Sequence, residues 1–343
     1  MADTSKRRRS LALIRRGRWG RRGNGGSTAS SSQPSGAMRS IEYGGTRWVD
    51  FREATGEQIE EIGAEFNLHP LVIEDIKSRI QRPKIDVYDD YLFVVLKFPI
   101  HDKETRVNEA SEIDFVVGPD LFMTFHDGSL RPLVTMIDSI FESDDMSIEL
   151  LRATPGHLLY EVVDRLVDYL VPIVPRLEER VAAIEELIFA EQALQTVQEI
   201  SVVQRDLISL RRILRPQLAI LNRFEIVSLP FMDDEIDEYW GDITDHLGRT
   251  IDSLEELSEI VAALSDTHDK LLSHRMNDVI KTLTIFSVVM LPLTLLTGFF
   301  GMNVPLPIVE AGAARWVTTV LIVVAMATLS LGMIEYFRRK HWL

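Results

Sequence analysis

Short apolar runs at strand-like spacing mark the first third of the chain. Residues 47–51 alternate in the manner of a strand, and residues 91–98 are almost continuously apolar, so each segment predicts a strand. Residues 113–117 and 121–125 flank the turn sequence Gly-Pro-Asp and predict a β-hairpin. Residues 57–66 instead show the three- and four-residue spacing of a helix. We therefore expect an α/β domain whose sheet has at least three strands.

The strand pattern disappears after about the first 150 residues, and apolar residues then recur at helical spacing. This spacing covers residues 158–187 and again 203–221, which predicts two long amphipathic helices antiparallel to each other. Residues 228–230, Ser-Leu-Pro, indicate a break, and the acids at 233–235 favour the N-terminus of a further helix. We expect that helix to run unbroken over 235–300.

Two segments near the C-terminus contain no charged residue. Residues 282–300 and 316–334 are 19 residues each, so as helices each spans about 28 Å, close to the ~30 Å hydrocarbon core of a bilayer. The alternative is a pair of buried core helices. Two such segments separated by a short connection favour membrane insertion.

The ionisable residues are distributed unevenly. Ten of the 37 Lys and Arg residues lie within residues 1–39 beside a single acid, so the rest of the chain has a formal net charge of −24. Such an acidic body disfavours nucleic acid as a partner and favours cations. The absence of cysteine excludes disulfides, iron–sulfur clusters, thiolate zinc sites and cysteine nucleophiles.

The basic N-terminal segment and the C-terminus bear on topology. The longest apolar run of the N-terminal segment, residues 11–14, is too short for a signal peptide, so we expect a disordered tail or one attracted to anionic lipid or to the acidic body. Residues 338–341 are basic, whereas the loop between the spans has one base, Arg315, and one acid, Glu310. The positive-inside rule then predicts both termini in the cytoplasm.

One face of the long helix carries an uncharged stripe where it enters the membrane. One helix cannot enclose a pore, so conduction along this stripe requires an oligomer; alternatively, its hydroxyls only bond back to carbonyls of the same helix. Pro292 frees one carbonyl, that of Val288, which pore water would satisfy unless the proline marks a simple kink against the second span. On this face the stripe begins before the membrane with Asp266 and Lys270, and its uncharged part comprises Ser273, Asn277, Ile280, Thr284, Ser287, Leu291, Thr294 and Gly298.

Three segments around the first span resemble the CorA magnesium transport family. They are NDVIKTLT (277–284), PLT (292–294) and GFFGMN (298–303), and the family is defined by Gly-Met-Asn after the first of two C-terminal transmembrane helices. The resemblance extends from about residue 45 to the end. Further matching segments are HPLVIEDI (69–76), QRPK (81–84), LRR (210–212) with Pro216, DITDH (242–246) and the terminal WL (342–343).

The resemblance implies an α+β cytoplasmic domain, a long-helix stalk and two C-terminal transmembrane helices, assembled as a homopentameric funnel in a lipid bilayer. The implied divisions are a basic tail (1–40), an α/β domain (41–150), antiparallel helices (151–230), a stalk continuous with the pore-lining helix (231–300), an outer loop (301–315), the second transmembrane helix (316–337) and a basic end (338–343).

The resemblance also assigns roles to single residues of the conduction pathway. Two methionines of the family are replaced here by Ile280 and Leu291, which keeps the constriction apolar. The implied selectivity filter is Gly301, Met302 and Asn303; the implied pore lining and gate are Asn277, Ile280, Leu283, Ser287, Leu291, Thr294 and Gly298; and Asp266 lies at the cytoplasmic mouth.

A ring of Asn303 amides suits a hydrated Mg²⁺. This ion releases its water reluctantly, so neutral amides that accept hydrogen bonds from its hydration shell select it without holding it. Gly301 lets the chain turn so that the amides face inward. The alternative is that Gly301 or Asn303 merely caps the helix C-terminus.

Regulatory divalent-cation sites of the family fall on Asp75 and Asp242 of neighbouring subunits, with Glu74 and Asp164 close by. Mg²⁺ bound between these carboxylates would hold the subunits in a closed state, and its loss would let repulsion reopen the pore. Apolar rings at Ile280, Leu283 and Leu291 could close by dewetting. The alternative is that each acid is ordinary solvated surface.

We therefore predict a multi-pass protein of the cytoplasmic membrane that admits Mg²⁺, and also Co²⁺ or Ni²⁺, by a passive route that the membrane potential drives. No phosphate-binding loop, serine elbow or paired-histidine zinc motif is present, so no enzyme is expected. One alternative is a transporter for zinc or another divalent cation, against which Met302 argues because zinc members of the family usually differ there. Another is a membrane-anchored sensor or scaffold that does not conduct.

Overall fold

A six-stranded mixed sheet forms the centre of the N-terminal part. The computed structural model describes residues 37–43, 45–142, 154–190, 193–224, 237–302, 314–340 and 342. The strand order is β1-β2-β6-β5-β4-β3, with β2 and β6 parallel and all other neighbours antiparallel. The strands are β1 Ala37–Tyr43, β2 Thr46–Arg52, β3 Lys84–Val87, β4 Leu92–His101, β5 Asn108–Val117 and β6 Leu121–His126.

The predicted hairpin is confirmed. Strands β5 and β6 pair in a register that runs from Ile113 opposite His126 to Val117 opposite Phe122. The Gly118 amide donates to the Leu121 carbonyl at 2.8 Å and closes the turn. Every residue of β6 is buried, which explains its continuous apolar character, since a central strand is covered on both faces.

Helices cover both faces of this sheet. Helix α1 (Gly56–Glu65) and helix α2 (Pro70–Ser78) bury Ile59 and Val72 against one face. The opposite face packs against the helices that follow β6. The His69 side chain accepts a hydrogen bond from the Leu71 amide at 3.2 Å and caps α2, fixing the helix that presents residues 74 and 75. The result is a three-layer α/β/α arrangement.

The predicted helix over residues 158–187 is wrong as one continuous element. It divides into α4 (Pro155–Asp168) and α5 (Ile173–Phe189), because Pro172 has no amide hydrogen to continue the helical ladder. The chain bridges the break with short-range bonds such as that from the Ile173 amide to the Leu170 carbonyl, 2.9 Å. The helices after β6 are α3 Arg131–Glu142, α4 Pro155–Asp168, α5 Ile173–Phe189, α6 Ala193–Phe224, α7 Asp237–Phe300 and α8 Ala314–Arg339.

Helices α6 and α7 form the stalk. The Phe224 and Trp240 rings stack with centroids 4.3 Å apart, and Arg211 of α6 reaches Glu255 of α7 at 3.0 Å. The first contact joins the end of α6 to the start of α7, and the second joins an earlier residue of α6 to a later residue of α7. The two helices are therefore antiparallel. Helix α7 has 64 residues and a length of ~96 Å, enough to serve as both stalk and membrane span. The predicted break at 228–230 and acidic helix start at 233–235 lie outside the described residues.

Candidate functional site

The C-terminal part of α7 and almost all of α8 are long and apolar enough to cross a membrane. In each helix the most apolar window is only 6% buried within the chain. A core helix of a soluble protein would be mostly buried, so the buried-core alternative is wrong. These surfaces require lipid or other subunits as their surroundings.

The stripe expected to line a pore lies on an exposed face of α7. The Leu283 and Leu291 side chains are 63% and 71% exposed. At 100° per residue, a second row of positions is centred about 140° around the helix from this stripe. That row is half-buried and comprises Lys281, Ile285, Val289, Pro292 and Leu296.

The groove between α7 and α8 occupies another side of the helix. Val288, whose carbonyl Pro292 leaves without its helical donor, lines this groove with Ala325, Thr328 and Leu329 of α8. Pro292 itself is half-buried. Pro292 therefore belongs to the half-buried row of α7 rather than to the exposed stripe, and its role as a kink stays a prediction.

The stripe hydroxyls bond to their own helix. The Ser287 hydroxyl donates to the Leu283 carbonyl at 2.9 Å, and the Thr294 hydroxyl donates to the Met290 carbonyl at 2.9 Å. In the single chain these hydroxyls therefore bond back to carbonyls of their own helix, which is the alternative to pore lining that the sequence left open. Each hydroxyl oxygen still has acceptor capacity, so the stripe presents acceptors without a formal charge.

The glycine at the end of α7 tolerates no side chain without rearrangement. The Gly301 amide donates to the Thr297 carbonyl at 2.9 Å, and a Cβ on Gly301 would lie 2.8 Å from that same carbonyl oxygen. Gly301 does not have the positive φ of a left-handed helix cap. Met302 is exposed beside it, and Asn303 lies outside the described residues. The Asn303 ring therefore stays a prediction.

The predicted mouth acid has a compensating charge on its own helix. The Asp266 carboxylate lies 2.5 Å from the Lys270 ammonium, one helical turn away. Both side chains are exposed, so the pair is worth little and either partner can be drawn away by other charges. Asn277, two turns beyond Lys270, is also exposed on α7.

Asp75 on α2 is enclosed by basic and acidic groups. Its Oδ2 lies 2.6 Å from the Lys84 ammonium, and the neighbouring Glu74 is exposed. Asp75 also interacts electrostatically with Asp114, which is only 2% exposed. The Oδ1 atom of Asp114 has no hydrogen-bond partner. Burial, and then the charge of Glu112, raise the pKa of Asp114 well above its usual value. Sequence reasoning missed Lys84 as a partner, although QRPK contains it.

Asp164 on α4 and Asp242 on α7 belong to a second acidic group. Burial is the main cause that raises the pKa of the Asp164 carboxyl. The charges of Asp168, Glu161 and Asp242 raise it further, and His246 opposes them. Sequence reasoning missed Glu161 and Asp168, yet their positions three before and four after Asp164 place all three on one helical face.

One chain does not complete a metal site from these acids. Across the described ranges, no three His, Asp or Glu side chains are arranged to hold a metal ion. The structure thus brings Asp164 near Asp242 within the chain, while Asp75 is engaged with Lys84. The predicted contact between Asp75 and Asp242 concerns two subunits and stays a prediction.

Comparison with known proteins finds a family match and several similar transport proteins. The model of the family described as CorA-like Mg²⁺ transporter protein matches residues 43–339. YfjQ of Bacillus subtilis (strain 168), provisionally named a metal ion transporter, is 33% identical over 86% of this chain and 89% of its own. The cobalt/magnesium transport protein CorA of Thermotoga maritima is 28% identical over 83% of this chain and 80% of its own.

A zinc transporter and a solved structure are also similar. The zinc transport protein ZntB of Yersinia enterocolitica is 26% identical over 69% of this chain and 70% of its own. The complete structure of the CorA magnesium transporter from Methanocaldococcus jannaschii superimposes with a TM-score of 0.75 at 18% identity, covering 87% of this chain and 92% of that one. With two exposed apolar helices at the C-terminus and a family match over most of its length, the chain belongs to the CorA-like Mg²⁺ transporter family of membrane proteins that transport divalent metal ions.

Proposed function

We propose that the protein is a homopentameric, channel-type transporter of the cytoplasmic membrane that mediates Mg²⁺ influx. The observation that carries the proposal is the exposed, uncharged stripe of α7, which mixes apolar side chains with hydroxyl acceptors. Five copies of α7 arranged with this stripe inward would enclose a water-filled path lined by neutral groups. Helix α8 would then lie outside, toward lipid.

The proposed path needs no chemical energy source. A divalent cation that enters a cell with a negative interior gains about 2 × 2.3 kcal/mol per 100 mV of membrane potential. The proposed topology places the acidic domain and both termini in the cytoplasm, as the basic residues Arg338, Arg339 and Lys340 after α8 favour.

The proposed selectivity filter is the ring of Asn303 amides beyond Gly301 and Met302. The close approach of Gly301 to the Thr297 carbonyl supports a tightly turned end to α7 just before this ring. Neutral amides that contact the water shell of Mg²⁺ would select by the size of the hydrated ion.

An uptake assay in liposomes tests this filter. With an interior-negative potential and a Mg²⁺-sensitive dye, Asn303→Ala should abolish influx. Asn222→Ala makes the same change on the exposed surface of α6 and should leave influx unchanged. Normal influx by a correctly assembled Asn303→Ala pentamer would refute the filter.

Feedback by cytoplasmic Mg²⁺ is the second part of the proposal. Mg²⁺ held between Asp75 of one subunit and Asp242 of the next, with Glu74 and Asp164 close by, would stabilise a closed pore. The raised pKa of Asp164, part of which comes from neighbouring acids, supports a carboxylate environment that a cation would relieve. Mg²⁺ should protect the wild type from proteolysis; equal protection of an Asp75→Lys/Asp242→Lys variant would refute this site.

Zinc transport is the second candidate, which the similarity to ZntB favours. The same fold would then conduct Zn²⁺, and Co²⁺ and Ni²⁺ are further candidates for the pore. A flux assay with each metal in turn decides among them. We expect Mg²⁺ entry that cobalt hexaammine, a mimic of the hydrated ion, blocks; entry of Zn²⁺ alone would favour the second candidate.

A further inference from the structure

Lys84 occupies the position beside Asp75 that a regulatory cation would need. The Lys84 ammonium lies 2.6 Å from Oδ2 of Asp75 and 2.7 Å from Oδ2 of Asp86. It also lies 5.3 Å from the centre of the Phe93 ring. The Asp75 side chain is only 14% exposed and that of Lys84 is 31% exposed, so the contact is sheltered from solvent.

The charge of Lys84 is maintained in this setting. Burial alone would lower the pKa of the Lys84 ammonium, but its hydrogen bonds to Asp75 and Asp86 and their negative charges outweigh burial and raise it. The contacts at 2.6 and 2.7 Å place the Lys84 ammonium so that it offsets the negative charges of Asp75 and Asp86 in the chain without metal.

We propose that Lys84 is a tethered competitor of the regulatory divalent cation, and that Asp86 receives its ammonium when Mg²⁺ takes Asp75. The inference rests on the proposed Mg²⁺ site at Asp75. Because Lys84 already contacts both carboxylates, release of Asp75 needs only a small side-chain movement rather than solvation of a free ammonium. The free Mg²⁺ concentration that closes the pore thus depends on how strongly the Lys84 ammonium binds Asp75 relative to Asp86.

This balance predicts changes of opposite sign at two positions. Lys84→Met keeps the apolar stem but removes the ammonium from Asp75. Mg²⁺ should then protect the protein from proteolysis at an about three- to tenfold lower concentration. Asp86→Asn leaves Lys84 with Asp75 alone, so protection should require an about two- to fivefold higher concentration. In the Lys84→Met background, Asp86→Asn should lose most of its effect, because the two residues act through one contact.

Matched controls separate this contact from general electrostatics. Lys77→Met also removes one positive charge, in this case from α2. It is a suitable control because Lys77 pairs with Glu60 rather than with Asp75. Asp89→Asn removes an exposed carboxylate three residues from Asp86. Lys84→Arg keeps the cation and should shift the midpoint less than Lys84→Met does.

The experiment titrates free Mg²⁺ against limited proteolysis of the full-length protein in lipid nanodiscs. The proposal is supported if Lys84→Met lowers the midpoint, relative to Lys77→Met, and Asp86→Asn raises it relative to Asp89→Asn. It is overturned if each variant matches its control. Should Lys84→Met fail to fold, the comparison of Asp86→Asn with Asp89→Asn decides by itself.

Failure of the underlying site gives a different pattern. If Asp75→Asn retains the wild-type midpoint, Asp75 is no regulatory ligand and both proposals fall. If Asp75→Asn abolishes protection while Lys84→Met and Asp86→Asn behave as their controls, the site at Asp75 stands and only the competitor role of Lys84 is refuted.

Discussion

The two halves of α7 use apolar residues in opposite ways. In the N-terminal half of the helix, Trp240, Leu254 and Val261 are fully buried against neighbouring helices of the same chain. In the membrane half, Leu283 and Leu291 are largely exposed, although the helix continues without interruption. One half of α7 is therefore covered by its own chain, whereas the other half needs lipid or other subunits to cover it.

The difference shows where the stability of each half originates. Water drives the burial of apolar side chains along the N-terminal half of α7, at roughly 25 cal/mol per Å² of apolar surface. Lipid supplies no such force between helices, so contacts in the membrane depend on packing and on the assembled state. The N-terminal half should therefore hold the fold of each chain, whereas the membrane half is left to contact lipid or other subunits.

The largest expected effect is on folding. Leu254→Ala leaves a cavity in the fully buried seam, and we expect it to lower the free energy of unfolding by about 2–5 kcal/mol. Leu291→Ala, the same change on the exposed half of the same helix, should lower it by less than about 1 kcal/mol. Chemical denaturation followed by tryptophan fluorescence, which reports on buried Trp240, measures both. Equal losses would contradict the comparison.

The next effect is on transport. Leu291→Ala shortens a side chain of the proposed apolar constriction, so water should enter more easily and Mg²⁺ should leak severalfold faster at high cytoplasmic Mg²⁺. Liposome flux measures this leak. Leu329→Ala, which alters the groove beside α8 instead of the stripe, is the control; if it leaks as much, the stripe is not the constriction.

The smallest effect concerns a surface ion pair outside the membrane helices. Both Arg106 guanidinium contacts to Glu199 are 2.8 Å, and this hydrogen bonding lowers the pKa of Glu199 despite burial. A lowered carboxyl pKa stabilises the fold above the unfolded value of 4.5 and loses that contribution as pH falls through the folded value. Arg106→Ala should therefore cost about 0.2–1 kcal/mol at pH 7 and almost nothing in acid.

Thermal unfolding across this pH range measures the effect. Arg205→Ala, which removes an exposed guanidinium that donates to the Ser201 carbonyl, should show no such loss of effect in acid. A pH-independent cost for Arg106→Ala would mean that packing of its side chain, rather than the charge of Glu199, accounts for the stability.

Local patterns predicted most of the elements. The β5–β6 hairpin follows from two apolar runs around Gly-Pro-Asp, and the membrane helices follow from two uncharged runs of sufficient length. The break between α4 and α5 was missed because apolar spacing continues across Pro172, and periodicity reports which face is buried but not whether the ladder is intact.

The candidate site was predictable only in part. Ser287, Leu291 and Thr294 share a face by helical geometry alone, so their stripe could be found from spacing. The contact of Lys84 with Asp75 joins a strand to a helix nine residues away, and no periodicity encodes it. Buried Asp206, which accepts from Arg180 at 2.7 Å and from the Asn108 amide at 2.8 Å, likewise joins three elements.

The sequence by itself determined the class of protein, because span length, charge-free runs and a helical stripe are properties of consecutive residues in a known geometry. The tertiary structure decided which half of α7 is covered by its own chain and which carboxylates have a resident cation. Those outcomes depend on the approach of segments distant in sequence, where burial and Coulomb energy are set by three-dimensional distance rather than by spacing along the chain.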